Sequence, residues 1–146
     1  MKLEKVAKTR IKVVLDTSCY VASLLSVSGA SAKIVELIIN GKIFNFYTEE
    51  ILTEVREVIS RKKFNVTKEQ QKYFIHLIQE TSFLIKQLQT YKVNKCRDPN
   101  DDKFLSLANQ IDADFIITID NDLLALRTSN KTKIVAPNKF LTIKDD

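Results

Sequence analysis

Two short apolar runs each end at an aspartate, and this pattern limits the fold more than any other feature of the chain. IKVVL at 11–15 is followed by Asp16, and FIITI at 115–119 is followed by Asp120. Runs of this length, rich in β-branched residues, predict buried strands. Strands that alternate with helical stretches favour a mostly parallel sheet between two layers of helices. We therefore expect a three-layer α/β/α domain.

The segments between these runs carry their own helix and strand signals. Amphipathic periodicity predicts helices at 16–25, 32–40, 49–64, 68–80, 99–112 and 121–127. Four of these helices have an N-terminal capping residue in the sequence. Ser31, Thr48 and Asp98 are the predicted N-caps of the helices at 32–40, 49–64 and 99–112, and Thr67 with Gln70 forms a predicted capping box at the start of 68–80. Further strands are predicted at 43–48 and 132–136. Periodicity leaves 82–88 open between a helical extension and a short strand.

Composition is typical of one globular domain, which we place at 1–146 with a core at about 11–143. The chain has 146 residues, 45% of them hydrophobic, and no apolar run near the ~20 residues of a membrane span. The N-terminus lacks the apolar segment of a signal peptide, and Cys19 and Cys96 lack metal-site spacing. We therefore expect a cytoplasmic protein that does not associate with a membrane. A net charge of +5 fits a nucleic-acid partner and equally a lysine-rich proteome.

Acidic residues gather where strands end and helices begin. The stretch from Cys96 to Leu124 contains seven aspartates in 29 residues of an otherwise basic chain. In an open α/β sheet, ligands bind beyond the carboxyl ends of strands, which is where Asp16 and Asp120 fall. Either aspartate alone could equally be a helix cap. As a pair they favour a functional site.

Two helices add candidate carboxylates. Glu54 lies at the rim of the apolar arc of the helix after Thr48, where a carboxylate needs a partner; a surface lysine is the structural alternative. In the helix after Pro99, Asp101 lies on the buried side and Asp102 lies nearly opposite, as its rival. Asp98 is most simply the cap of that helix.

Such a set of acids suits a divalent cation. Carboxylate oxygens are hard ligands that favour Mg²⁺ or Mn²⁺, and crowded acids repel one another unless a cation lies between them. These ions can activate a water and neutralise a phosphate. The single histidine, His76, lies inside a helical pattern, which argues against a Ser-His-Asp system. Two glycines, Gly29 and Gly41, supply no phosphate-binding loop.

Four segments together resemble a known family. They are VVLDTSCYVASLL, EEILTEVREVISRKKF, RDPNDDKFLSLANQIDADFIITIDNDLL and the terminal KIVAPNKFL. In this order and spacing the chain, from Ile11 to Ile143, resembles PIN-domain proteins, close to the PIN-family toxins of bacterial toxin–antitoxin systems (VapC-like ribonucleases).

The resemblance implies a metal-dependent endoribonuclease, in which a water bound to one or two Mg²⁺ or Mn²⁺ ions attacks an RNA phosphodiester. The acids carried over as catalytic residues and metal ligands are Asp16, Glu54, Asp101 and Asp120, with Asp122 as a further ligand. Supporting residues are Ser18, Thr118, Asp98 and Asp102. Two positions depart from the family: Ser18 stands where asparagine is common, and Ile119 where glycine often precedes the fourth acid.

Partners follow from the same resemblance. It implies single-stranded RNA, an antitoxin protein and a homodimer. The cations expected near the pocket are Arg56, Arg61, Lys62, Lys63, Lys95, Arg97 and Lys103, for each of which a solvated surface role is the alternative. Contacts of these residues with phosphates would increase affinity for RNA without selecting an RNA sequence.

Two other functions stay open on the residues. One is a catalytically inactive domain of the same fold that binds RNA or a protein. The other is a phosphate-transfer domain, such as a receiver or a haloacid-type phosphatase. The haloacid-type phosphatase would need Asp-x-Asp after the first strand, where this chain has Asp16 followed by Thr17 and Ser18.

Overall fold

The computed structural model describes residues 10–144 and contains a six-stranded sheet with the order β3-β2-β1-β4-β6-β5. The strands are β1 (Ile11–Leu15), β2 (Ile43–Tyr47), β3 (Phe83–Leu84), β4 (Phe115–Ile117), β5 (Thr128–Ser129) and β6 (Thr132–Val135). Every neighbouring pair is parallel except β5 with β6. The predicted α/β class with a mostly parallel sheet is confirmed. Residues 1–9 and 145–146, which the predicted 1–146 domain includes, lie outside the described part.

Helices fill the connections between the strands. Within residues 10–144 they are α1 (Thr17–Leu25), α2 (Ala30–Ile39), α3 (Glu49–Ile59), α4 (Lys68–Thr81), α5 (Asp102–Ile111), α6 (Asn121–Leu126) and α7 (Pro137–Lys144). Short 3₁₀ turns precede or follow them at Lys62–Phe64, Gln89–Tyr91 and Pro99–Asp101. No single helix of this part is long and apolar enough to cross a membrane; α1 and α2 pass that test only as a pair, bent by 98°.

Most of the predicted helix ends are confirmed. The Thr48 side chain accepts from the Ile51 N–H, and both hydrogen bonds of the Thr67/Gln70 capping box are formed. The predicted Ser31 cap is wrong, because α2 begins at Ala30 with Gly29 at the N-cap. The helix predicted to reach residue 64 ends at Ile59, where the Ser60 hydroxyl donates to the Glu57 carbonyl.

For three short strands the structure adds to the sequence prediction or corrects it. Residues 82–88, left open by periodicity, contain the two-residue β3, which pairs with β2. The run FIITI forms a strand only over Phe115–Ile117. The Thr118 N–H still donates to the Val135 carbonyl of β6, whereas the Ile119 N–H donates to the Ser18 hydroxyl instead. The two-residue β5 was not predicted, because a strand this short has too few residues to show an alternation of apolar and polar side chains.

The centre of the sheet positions the candidate site. Strands β1 and β4 are parallel neighbours with Leu15 opposite Ile117, and both residues are buried. The next residues along each strand, Asp16 and Thr118, therefore emerge side by side at the carboxyl edge. This is the edge at which open α/β sheets bind their ligands.

Candidate active site

Asp16 is the buried anchor of the site. The residue is 4% exposed, and its carboxylate accepts hydrogen bonds from the Ser18 hydroxyl (2.6 Å), the Thr118 hydroxyl (2.6 Å) and the Cys19 N–H (3.1 Å). Burial raises the pKa of Asp16 above its ordinary value, and the hydrogen bonds partly offset this rise. Two of the predicted supporting residues, Ser18 and Thr118, thus hold Asp16 directly.

Asp120 joins Asp16 through Thr118. The Asp120 N–H donates to the Thr118 hydroxyl oxygen at 2.9 Å, and that hydroxyl in turn donates to Asp16. The Asp120 side chain caps α6 by accepting from the Asp122 N–H at 2.9 Å. Asp122 is exposed and meets Asp120 through its backbone.

Asp101 lies in the electrostatic field of the other aspartates. Burial, followed by the charges of Asp120, Asp98 and Asp16, raises the pKa of Asp101 to about 6. Its rival Asp102 has a different position, because its carboxylate accepts from the Lys95 and Cys96 N–H groups at 3.1 and 2.8 Å. Asp98 is a cap, as predicted, and accepts from the Asn100 N–H. It caps the 3₁₀ turn Pro99–Asp101, however, and the α-helix predicted from residue 99 begins only at Asp102.

Glu54 is tied to three neighbours. Its carboxylate accepts from the Lys103 ammonium at 2.6 Å and the Asn100 amide at 2.8 Å, and the Thr17 hydroxyl also donates to it. Burial would raise the pKa of Glu54, but hydrogen bonds from these three groups and the Lys103 charge outweigh it and lower the pKa. Glu54 is therefore held as an ionised carboxylate.

Lys103 departs from its expected place. The sequence groups it with exposed cations that touch RNA, yet its side chain is 5% exposed and its ammonium also donates to the carbonyl and side-chain oxygens of Asn100. Sequence reasoning missed this group of Thr17, Asn100 and Lys103 around Glu54. The separation of Asn100 and Lys103 by three residues could have paired these two side chains on one helical turn, but it gives no link to Glu54 or Thr17.

The other candidate cations lie on the surface. All of them are exposed: Arg56, Arg61, Lys62, Lys63, Lys95 and Arg97. Arg61 is 3.5 Å from Glu57, an exposed pair of little energetic weight.

The donor set partly fits a divalent cation. The charges of neighbouring aspartates add to the effect of burial on the pKa of Asp101, and acids so placed gain from a cation between them. Their oxygens are the type that Mg²⁺ and Mn²⁺ prefer. However, among residues 10–144 no group of three or more His, Cys, Asp or Glu side chains stands at metal-holding distance. The Lys103 ammonium lies against Glu54, where a metal would need a free carboxylate.

Comparison with known proteins fits this geometry. The family model described as PIN domain matches residues 12–122, so the chain belongs to the PIN-domain family. The uncharacterised protein MJ1680 of Methanocaldococcus jannaschii is 32% identical over 95% of each chain. A crystal structure of VapBC2 from Rickettsia felis, bound to a DNA fragment from their promoter, has a TM-score of 0.64 at 15% identity, covering 86% of this chain and 98% of that one.

Family membership defines the broad class of activity. PIN domains are generally nucleases, so this chain belongs among hydrolases of nucleic acids. The structural neighbour, at 15% identity, supports the fold alone. The matched residues include Asp16, Glu54, Asp101 and Asp120.

Proposed function

We propose that the protein is a metal-dependent endoribonuclease that hydrolyses phosphodiester bonds of single-stranded RNA. The observation that carries this proposal is the meeting of Asp16 and Asp120 at the Thr118 hydroxyl, which bonds to both. Asp101 lies near them, since their charges add to the effect of burial in raising the pKa of its carboxyl. A bound cation would relieve the repulsion among these carboxylates. A nucleic acid is the substrate class of the family.

The chain's own residues have separable tasks in this proposal. Asp16, Asp101 and Asp120 would hold Mg²⁺ or Mn²⁺, which supplies an activated water and neutralises phosphate charge when bound. Ser18 and Thr118 orient the Asp16 carboxylate and favour its ionised form by donating to it. Glu54 would join the ligands by releasing Lys103. The released ammonium, still anchored beside Asn100, would then be available to a phosphate oxygen.

The exposed cations would hold the RNA backbone. Lys62 and Lys63 follow α3, the helix that carries Glu54, and Arg97 precedes the acidic turn that carries Asp101. Phosphate contacts of this kind give salt-dependent affinity without sequence selection. Cytoplasmic location, a homodimer and control by an antitoxin protein, which would make the enzyme a toxin, are parts of the same proposal.

Incubation of the purified protein with single-stranded RNA tests the proposal. We expect cleavage with Mg²⁺ or Mn²⁺, none with EDTA, and a fall of at least about a hundred-fold in rate in Asp16→Asn. Glu36→Gln, which removes an exposed carboxylate on α2, is the matched control and should cut normally. Cutting that persists unchanged in Asp16→Asn would exclude the assigned site.

A second candidate function is a catalytically inactive domain that binds RNA or protein. The observation that favours it is the Lys103–Glu54 ion pair, which already satisfies a carboxylate that catalysis would need. In that case RNA would bind without being cut. The addition of Mn²⁺ would then leave both RNA affinity and the thermal midpoint unchanged.

A further inference from the structure

An apolar groove begins beside the acidic cluster. It has a volume of about 420 Å³ and lies between α1, the end of α3, the Lys62–Phe64 turn and the residue before Asp120. Its apolar walls include Leu25, Val58, Phe64 and Ile119. Ile119 and Leu25 are 48% and 47% exposed, so a sizeable apolar surface faces solvent here. A volume of this size is typical of a small-ligand site.

The groove includes two residues that bind candidate acids. Thr17 and Ser18 line one part of it, and their hydroxyls donate to Glu54 and Asp16 respectively. A group lying in the groove is therefore in contact with residues that hold two of the four acids. Aliphatic and aromatic walls offer nothing to a metal ion or a phosphate, so the occupant needs an apolar face.

Cations flank the aromatic wall. The Lys63 ammonium lies 5.0 Å from the centre of the Phe64 ring, and the preceding residue, Lys62, is exposed. An aromatic ring that lines an apolar groove and has an ammonium group at its face matches one chemistry well. A nucleotide presents a flat base that stacks on an aromatic ring and a phosphate that pairs with an ammonium.

We propose that this groove binds an unpaired base of the RNA next to the cleaved phosphodiester, with Phe64 and Ile119 as its walls. The inference rests on the proposed ribonuclease function and adds to it a binding place for one base of the single-stranded substrate, because a base inside a duplex cannot enter the groove. Ile119 makes this surface larger than the glycine expected at that position would.

Steady-state cleavage of a single-stranded RNA oligonucleotide in Mn²⁺ tests the groove. We expect Phe64→Leu, which preserves much of the partly buried packing of Phe64, to raise KM about ten-fold with little change in kcat. Ile119→Ala, at an exposed position, should raise KM in the same direction. Tyr73→Leu, which removes a 70% exposed aromatic ring on α4 outside the groove, is the control and should leave KM unchanged.

An abasic substrate separates stacking from a structural effect. Removal of the base beside the bond that the wild type cuts should raise KM of the wild type and leave KM of Phe64→Leu almost unchanged. Equal losses in both proteins would overturn the inference. So would variants that keep the wild-type KM but change the molar mass in solution, because the groove would then be an interface between copies.

Binding without cleavage distinguishes this inference from the proposed function. Fluorescence anisotropy with the same RNA in EDTA measures affinity whether or not the protein is a nuclease. Tighter binding by the wild type than by Phe64→Leu supports the groove even if no cleavage is found. Equal binding by the two proteins contradicts it even if cleavage is found.

Discussion

The Lys103 ammonium lies 2.6 Å from the Glu54 carboxylate, and both side chains are largely buried, at 5% and 20% exposure. This pair connects α3 to the start of α5 and brings Glu54 to the edge of the aspartate cluster. It also gives Glu54 a cationic partner in the absence of a metal. The Lys103 ammonium and a metal ion are therefore expected to compete for the same carboxylate.

Loss of the Lys103 charge is predicted to destabilise the metal-free protein. Lys103→Met should lower the free energy of unfolding by about 3 kcal/mol, because Glu54 is left buried without its cation. Urea unfolding at neutral pH measures the change. Lys62→Met, at an exposed position, should shift stability by less than about 0.5 kcal/mol. Equal stability of the two variants would show that the pair contributes nothing to folding.

The same Lys103→Met variant should respond more strongly to a divalent cation. With the competing ammonium gone, Mn²⁺ should restore a larger part of the lost stability than it adds to the wild type. Thermal unfolding with and without Mn²⁺ gives both increments. A smaller increment in the variant would mean that Lys103 assists metal binding instead of competing with it.

The raised pKa of Asp101 predicts a stability that falls with pH. Its pKa is about 6 in the folded protein against an ordinary value of 3.8, so the folded state holds more protons between these values. Stability contributed by the protonated form is therefore lost as pH rises through about 6. Asp101→Asn should be more stable than the wild type at pH 7 by about 1 kcal/mol, after allowance for solvent screening.

Urea midpoints between pH 4 and 8 check this sign. The stability difference between Asp101→Asn and wild type should be smallest near pH 4 and largest above pH 6. Glu36→Gln, an exposed carboxylate on α2, should show no such trend. A variant that is less stable than the wild type at pH 7 would mean that the aspartate charges do not oppose one another.

The buried Thr118 hydroxyl is predicted to support both fold and site. Thr118→Val keeps the shape but removes the 2.6 Å hydrogen bond to Asp16, which should cost about 1–2 kcal/mol at neutral pH. Thr132→Val is a matched control, since Thr132 is also buried and donates to the Ala113 carbonyl away from the acids. Both variants should lose stability in urea, but only Thr118→Val should lose Mn²⁺ affinity and cleavage.

Rules that depend only on neighbouring residues, such as apolar runs and helix caps, predicted several elements of the fold correctly. Apolar runs ending at Asp16 and Asp120 identified the two central strands, and the Thr48 and Thr67 caps fixed helix starts. Helical periodicity also favoured Asp101 over Asp102 for the acidic cluster, and the structure places Asp101 in the field of the other aspartates. The roles assigned to these acids stay predictions.

The contacts that sequence reasoning missed join distant segments. The Lys103–Glu54 pair spans 49 residues, and no local rule relates a lysine on α5 to a glutamate on α3. The groove likewise depends on Phe64 and Ile119 meeting through the packing of α1 and α3. The two-residue strands β3 and β5 exist through pairing with their neighbours and not through their own composition.

Calorimetric titration of Mn²⁺ tests the central claim most directly, because Asp101 and Asp102 are adjacent acids with different surroundings. We predict that the wild type binds Mn²⁺, that Asp101→Asn and Asp16→Asn lose this binding, and that Asp102→Asn retains it. An absence of Mn²⁺ binding in the wild type, or equal binding in Asp101→Asn and Asp102→Asn, would contradict the assignment of the metal site.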